Sequence, residues 1–194
     1  MPNRLVLLLA LCALAMPGSL EAAGSGPAKA PVRQLQTASH AERMQEEVSR
    51  LKEAVKQKRS QAWRWQRVAL HAPTRASYIE DRTQSLKMLR WTLRLWKHRA
   101  ATAKQVATHP PHLADWQCIH RGEGAWDDDT GNGYYGGLQM DIPFQKRYGY
   151  SLYVTKGTAN NWTPLEQVWV AERAYESGRG FWPWPNTARA CGLI

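Results

Sequence analysis

Long apolar runs are scarce in this 194-residue chain. The one near the start, residues 5–15, is too short for a bilayer that needs roughly 20 helical residues. Arg4 precedes it, and small residues follow at 13–15 and 22–23. No polar face accompanies the run, which argues against a buried first helix. The layout is that of a cleaved export signal over residues 1–23. Cys12 raises the alternative of a lipid anchor, but Leu11 stands before it where a small residue is expected. Cysteine is nearly absent as well, with three in all. Loss of the signal leaves Cys118 and Cys191, a single pair expected to be bridged in the oxidising compartment outside the cell. The histidines show no metal-ligand spacing, so neither a metal nor a cofactor is expected. Phenylalanine is rare too: two, against ten tryptophans. Tryptophan is large and amphipathic, so that excess favours stacking surfaces as well as core filling.

The charge is placed unevenly. Residues 41–107 carry 16 Lys+Arg against 6 Asp+Glu, whereas residues 108–194 carry 7 against 9. A basic module is thus joined to a mildly acidic one, and an anionic partner suits the first. For an exported chain such a partner is a wall polymer or a membrane surface, and no nucleic acid is expected. Residues 24–38, with Gly-Ser-Gly-Pro and no periodicity, read as a flexible leader. Residues 39–108 read as a helical hairpin. Ser39 with Glu42, and Ser77 with Glu80, are capping-box signatures. Met44, Val48, Leu51, Val55, Ala62 and Trp65 form one apolar stripe; Ile79, Leu86, Leu89, Leu93, Trp96, Ala100, Ala103 and Ala107 form the other, and two antiparallel helices can bury these on each other. Trp63, Trp91 and Leu95 fall off the stripes among arginines, the mix interfacial helices use. A plain spacer or a docking element for a protein partner fits the same pattern.

From residue 109 the composition shifts to short segments, glycines and aromatics. Leu113, Trp116, Ile119 and His120 predict a short helix ending near Gly122, with Glu123 at its C-terminal end. The negative end of a helix dipole favours the protonated form of a carboxyl group, and a protonated acid is what a glycosidic oxygen needs as a proton donor. Past the Gly-Asn-Gly turn, residues 134–140 read as a short strand or hairpin arm in which Gly136 and Gly137 permit close approach. Asp141 is placed to cap a helix running to Tyr148. Thr163-Pro164-Leu165-Glu166 opens another, amphipathic through Leu165, Val168, Trp169 and Tyr175. The tail to Cys191 reads as irregular.

The block Thr130-Gly131-Asn132-Gly133-Tyr134-Tyr135-Gly136-Gly137-Leu138-Gln139 resembles the transglycosylase-like domain of the resuscitation-promoting factors, small relatives of lysozyme. Val170-Ala171-Glu172-Arg173 and the tryptophan-proline-cysteine tail continue the resemblance, which covers about the last 80 residues and none of the hairpin. Glu123 followed by Gly137-Leu138-Gln139 is similar to the Glu and Gly-Leu-x-Gln elements of lytic transglycosylases. In the family a cysteine directly precedes the catalytic glutamate; here Cys118 stands five residues before Glu123. A two-residue deletion before Trp126 keeps Glu123 in register, while an ungapped register on Trp126 places Arg121 there.

The resemblance implies an α+β, lysozyme-like domain over residues 109–194, acting at the cell wall on peptidoglycan glycan strands. Glu123 is then the catalytic acid, and Trp126, Asn132, Tyr134, Tyr135, Gly137 and Gln139 bind substrate. Asp127, Asp128 and Asp129 read as a solvated turn or as the source of a second carboxylate; a calcium loop lacks its twelfth-position carboxylate. Glu172 is expected to be buried and paired with an arginine. A hydrolase, an anhydro-forming transglycosylase and a non-cleaving wall binder anchored by the hairpin share these residues.

Overall fold

The computed structural model describes residues 32–194, with side chains from residue 39 onward. The expected export signal and the leader up to residue 31 lie outside the described residues. Residues 41–194 form one compact unit.

Helix α1 spans Val32–Val68 and α3 spans Leu86–Thr108. The helix starts earlier than the Ser39 signature suggests, so Ser39 lies within α1 rather than at its cap. The second capping box does form, but it opens only a single turn, α2 (Tyr78–Arg82). The long helix begins afresh at Ser85, whose hydroxyl accepts from Met88 N–H. The two stripes then meet in successive layers. Val48 and Leu51 pack with Leu89, and Val55 and Ala62 pack with Trp96 and Ala100. Met44 and Ile79, expected on the stripes, remain 42% and 62% exposed. Trp63 is not a surface anchor. Its ring meets Trp96 edge-on at 6.1 Å and its Nε1 donates to Thr74 O at 2.7 Å, which fixes the proline turn. Trp91 stays exposed. Glu80 is buried among these groups, accepting from Trp96 Nε1 at 3.3 Å with the Arg99 guanidinium 3.7 Å away.

The C-terminal part is α+β. It comprises α4 (Leu113–Glu123), a two-stranded antiparallel ribbon of β1 (Tyr134–Tyr135) and β2 (Met140–Asp141), α5 (Ile142–Tyr148), α6 (Tyr150–Lys156), α7 (Pro164–Ala174) and α8 (Pro185–Ala190). Tyr134 pairs with Asp141 and Tyr135 with Met140. Asp141 caps α5 by accepting from Phe144 N–H at 2.7 Å, and Thr163 with Glu166 closes a full capping box on α7. The tail is not irregular throughout: Pro185, at the first helical position where its missing N–H costs nothing, starts α8.

Helix α7 is the centre of the domain. The sequence pattern predicts an amphipathic helix, yet every residue from Glu166 to Glu172, together with Ala174, is buried. A helix enclosed on all sides is a core element. Trp116, Ile119, Leu138, Met140 and Trp184 pack around it. Its Trp169 reaches the hairpin, packing on Ala69 and Ala107 and donating from Nε1 to Ala107 O at 2.9 Å. The buried Glu172 pairs with His112 rather than with an arginine. It accepts from His112 N–H at 2.8 Å and lies 3.0 Å from Nδ1. Arg173 cannot serve because it projects outward, donating to the carbonyls of Tyr148 and Leu70.

Candidate active site

Trp116 and Ile119, three residues apart and both fully buried, press one face of α4 into the core. The helix stops at Gly124, whose N–H bonds back to His120 O at 3.2 Å, so Glu123 is its last residue. The carboxyl is half-buried, and Oε1 accepts from Thr187 Oγ1 on α8 at 2.6 Å. The two helices are close at this level: a Cβ on Gly122 would stand 2.7 Å from Thr187 Cγ2. One turn further from the site on each helix, Cys118 and Cys191 are joined in a disulfide. Four residues separate Cys118 from Gly122 and Thr187 from Cys191, so the covalent bridge and the Gly122–Thr187 contact clamp the same pair of helices.

Thr187 Oγ1 also lies 3.3 Å from Trp184 O. A hydroxyl has one hydrogen and two lone pairs. It can donate to an ionised Glu123, or turn to Trp184 O and accept the proton of a neutral Glu123. The hydroxyl can therefore serve either state of the carboxyl group without movement of the backbone.

On the other side of Glu123, Gly124 fits against Asp128 and Gln139. A Cβ there would fall 2.6 Å from Asp128 Oδ2 and 3.3 Å from Gln139 Nε2. Gln139 donates to Asp128 Oδ2 at 3.3 Å and to Gly136 O at 3.0 Å, and its Oε1 accepts from Asn132 Nδ2 at 3.4 Å. Its φ is +46°, in the left-handed region, where a residue with a Cβ pays roughly 1–2 kcal/mol. Such conformations persist where the surroundings over-determine them and concentrate at functional sites.

Gln139 also lines a cleft of about 370 Å³, together with Tyr134, Phe144, Arg147, Arg179 and Trp184. Asn132 accepts from Tyr134 N–H at 2.9 Å, turning the chain into β1. Tyr134 and Gln139 thus line the cleft and Asn132 is bonded to both, whereas Glu123 is not in the lining and is linked to it through Gly124, which fits against Gln139. Trp126, Tyr135 and Gly137 are not in the lining either. Trp126 stacks on His120, with centroids 3.8 Å apart, and borders a separate hollow shared with Leu165 and Arg121. Arg121 therefore faces away from the group that holds Glu123. Tyr135 packs on the core. Gly137 is buried, donating its N–H to Gln167 Oε1 at 2.9 Å and accepting from His120 Nδ1 at 3.1 Å. The space a Cβ would need there is filled by His120 and Trp126, so protein rather than ligand makes the close approach. Of the three aspartates, Asp127 and Asp129 are exposed and Asp128 turns inward to Gln139.

Sequence reasoning missed Gln167, Thr187, Arg147 and Arg179. Gln167 has no accessible surface. It joins the cleft block to α7 and the preceding loop by donating from Nε2 to Trp126 O at 2.7 Å, Ala159 O at 2.9 Å and Trp162 O at 3.2 Å. A glutamine beside apolar neighbours reads as a helix's polar face, and only the three-dimensional convergence of those groups reveals its task. For Thr187 a local signal existed in its spacing from Cys191, one helical turn, which repeats that between Cys118 and Gly122.

Residues 111–186 match the model of the transglycosylase-like domain. The chain is 37% identical over 96 residues to resuscitation-promoting factor Rpf1 of Corynebacterium glutamicum, covering 48% of each protein. It is 38% identical over 80 residues to resuscitation-promoting factor RpfE of Mycobacterium tuberculosis, covering 40% of this chain and 43% of that one. The chain spans less than half the length of either relative. The α4–α8 clamp, the ribbon and the cleft all fall within or against this matched segment, so residues 111–186 form a transglycosylase-like domain similar to the matching stretch of the resuscitation-promoting factors.

Proposed function

We propose that the C-terminal domain cleaves the β-1,4 bond between N-acetylmuramic acid and N-acetylglucosamine in peptidoglycan outside the cell, with Glu123 as the single general acid and base. The observation that carries the reading is the environment of Glu123. The residue ends a helix, is partly open to solvent, and rests on a hydroxyl able to accommodate either protonation state, one residue before the Gly124 that fits against Gln139 in the wall of a polar cleft.

In this reading neutral Glu123 gives its proton to the leaving glycosidic oxygen as an oxocarbenium-like centre develops on the muramoyl carbon. The resulting carboxylate, now receiving the Thr187 hydrogen bond, takes a proton from the incoming nucleophile. Capture by the muramoyl 6-hydroxyl yields an anhydro product, and capture by water yields the reducing sugar. The ordered Asn132–Gln139–Asp128 chain supplies donors and acceptors for sugar hydroxyls, and the exposed Tyr134 ring supplies a stacking face.

Digestion of purified peptidoglycan by the natural chain and by Glu123→Gln, followed by mass spectrometry of released fragments, tests this. Release that disappears in Glu123→Gln supports it, and the product masses identify the nucleophile. Equal release by a folded Glu123→Gln protein refutes the acid assignment. Sedimentation of both proteins with the wall and release by neither would replace catalysis with pure glycan binding.

A further inference from the structure

The cleft is also lined by two guanidinium groups that the proposed reaction does not use. Arg147 lies in the last turn of α5, and Arg179 closes the π-helical turn Tyr175–Arg179. Each leans on an aromatic ring: the Arg147 Cζ is 5.5 Å from the Tyr148 centroid and the Arg179 Cζ is 5.8 Å from that of Phe144. Neither joins an ion pair among the described residues. Asp141 also lines this cleft, but its Oδ1 is committed to the Phe144 N–H at the start of α5.

This is not overflow from a generally basic surface, since residues 108–194 carry 7 Lys+Arg against 9 Asp+Glu. The buried Tyr148 hydroxyl, 3.2 Å from Ser177 Oγ, senses the same field. Burial resists its ionisation, but the Ser177 hydroxyl and the Arg179 and Arg147 guanidiniums outweigh that effect and hold the phenol below the ordinary tyrosine value. Two guanidiniums lining one cleft, neither ion-paired and with the α5-capping Asp141 as the single carboxylate in the lining, offer planar, fork-shaped donors to an anion of carboxylate geometry.

We infer that Arg147 and Arg179 form a carboxylate subsite that takes a free carboxylate of the peptide stem carried by the muramoyl units of the glycan. This rests on the peptidoglycan reading above. A glycan laid along the Tyr134–Gln139 wall presents its lactyl-linked peptide to one side, and the stem carries the acidic groups that a neutral sugar chain lacks. The subsite makes the domain select stem-bearing over stripped glycan.

The test is a binding measurement by calorimetry with the full chain carrying Glu123→Gln, so that ligand is not consumed. The probes are a soluble disaccharide-peptide oligomer, the same oligomer with its peptide carboxylates amidated, and the glycan stripped of peptide with its freed lactyl carboxylates amidated. The free-carboxylate ligand is expected to bind about ten-fold more tightly than the other two, the scale of a charge-assisted pair in a partly open site. Adding Arg147→Gln with Arg179→Gln is expected to remove that preference. Adding Arg189→Gln instead, an exposed arginine on α8 outside the cleft lining, is expected to keep it. Equal affinity for all three ligands overturns the subsite while leaving glycan recognition standing, as does a preference that survives the double arginine change. No binding of any ligand overturns both the subsite and the peptidoglycan reading.

Discussion

Replacing Gln167 by leucine should unfold the floor of the candidate site without touching any group that faces the cleft. The side chain is fully buried. Its Oε1 is the partner of Gly137 N–H, and its Nε2, with two hydrogens, serves the carbonyls of Trp126, Ala159 and Trp162. Leucine is close in volume and adds no cavity, so the cost is almost entirely that of orphaned polar groups. Ala159 O retains the Trp162 N–H at 2.9 Å, which leaves the buried Gly137 N–H and Trp162 O and the partly buried Trp126 O as the losses. An unsatisfied buried group costs about 1–3 kcal/mol, so the two buried ones cost about 4 kcal/mol at mid-range. For a chain of this length that lowers the melting temperature by about 8–16 °C. Scanning calorimetry measures the drop, and tryptophan near-ultraviolet circular dichroism shows whether the Trp126–His120 stack survives below it. Gln167→Glu retains the acceptor for Gly137 and loses both donors, so it should also be destabilised. A drop of less than about 3 °C for Gln167→Leu would refute the hub role, because it would mean these backbone groups are satisfied elsewhere.

Thr187→Val keeps the shape that packs on Gly122 and deletes the hydroxyl that Glu123 rests on. Wall digestion should slow about ten-fold, the equivalent of one modest hydrogen bond, with Thr187→Ser close to the natural rate; a valine variant of full activity would dismiss the contact. Reduction of Cys118–Cys191, which closes a 73-residue separation, should cost about 4–5 kcal/mol in the chain-entropy model. Calorimetry with and without a thiol reads this, and an unchanged transition would contradict it. Ultraviolet titration should show a phenol ionising below the ordinary tyrosine value, absent in Tyr148→Phe. Because the folded value is lowered, ionised Tyr148 stabilises the fold fully above the unfolded value. That contribution is lost as pH falls through the folded value.

Much of the local architecture was legible because it depends on signals only three or four residues long. Asp141, Thr163 with Glu166, and Ser77 with Glu80 each cap a helix through side-chain bonds to backbone N–H groups that any chain with that spacing can make. The cap could not tell how far its helix would run. Ser77 opens five residues rather than thirty, and Ser39 is passed over by a helix already formed. The hairpin layers from Val48 to Ala107 followed the apolar period because burial of a stripe depends on the average of many contacts.

By itself the sequence determined the kinds of groups available near residue 123: one glutamate at a helix end, a glycine-rich turn with asparagine and glutamine, and two cysteines. It also determined the division between a basic helical segment and a glycine-rich domain, since charge and periodicity are additive along the chain. Only the tertiary structure decided which of those groups meet. Helix α8, 64 residues beyond Glu123 at Thr187, brings the hydroxyl to the acid. The fold turns Trp126 and Gly137 into packing around His120, and it assigns His112 to Glu172. These pairings join residues distant in sequence, and their geometry depends on how whole helices seat on α7. A residue's type and local spacing carry no record of that seating.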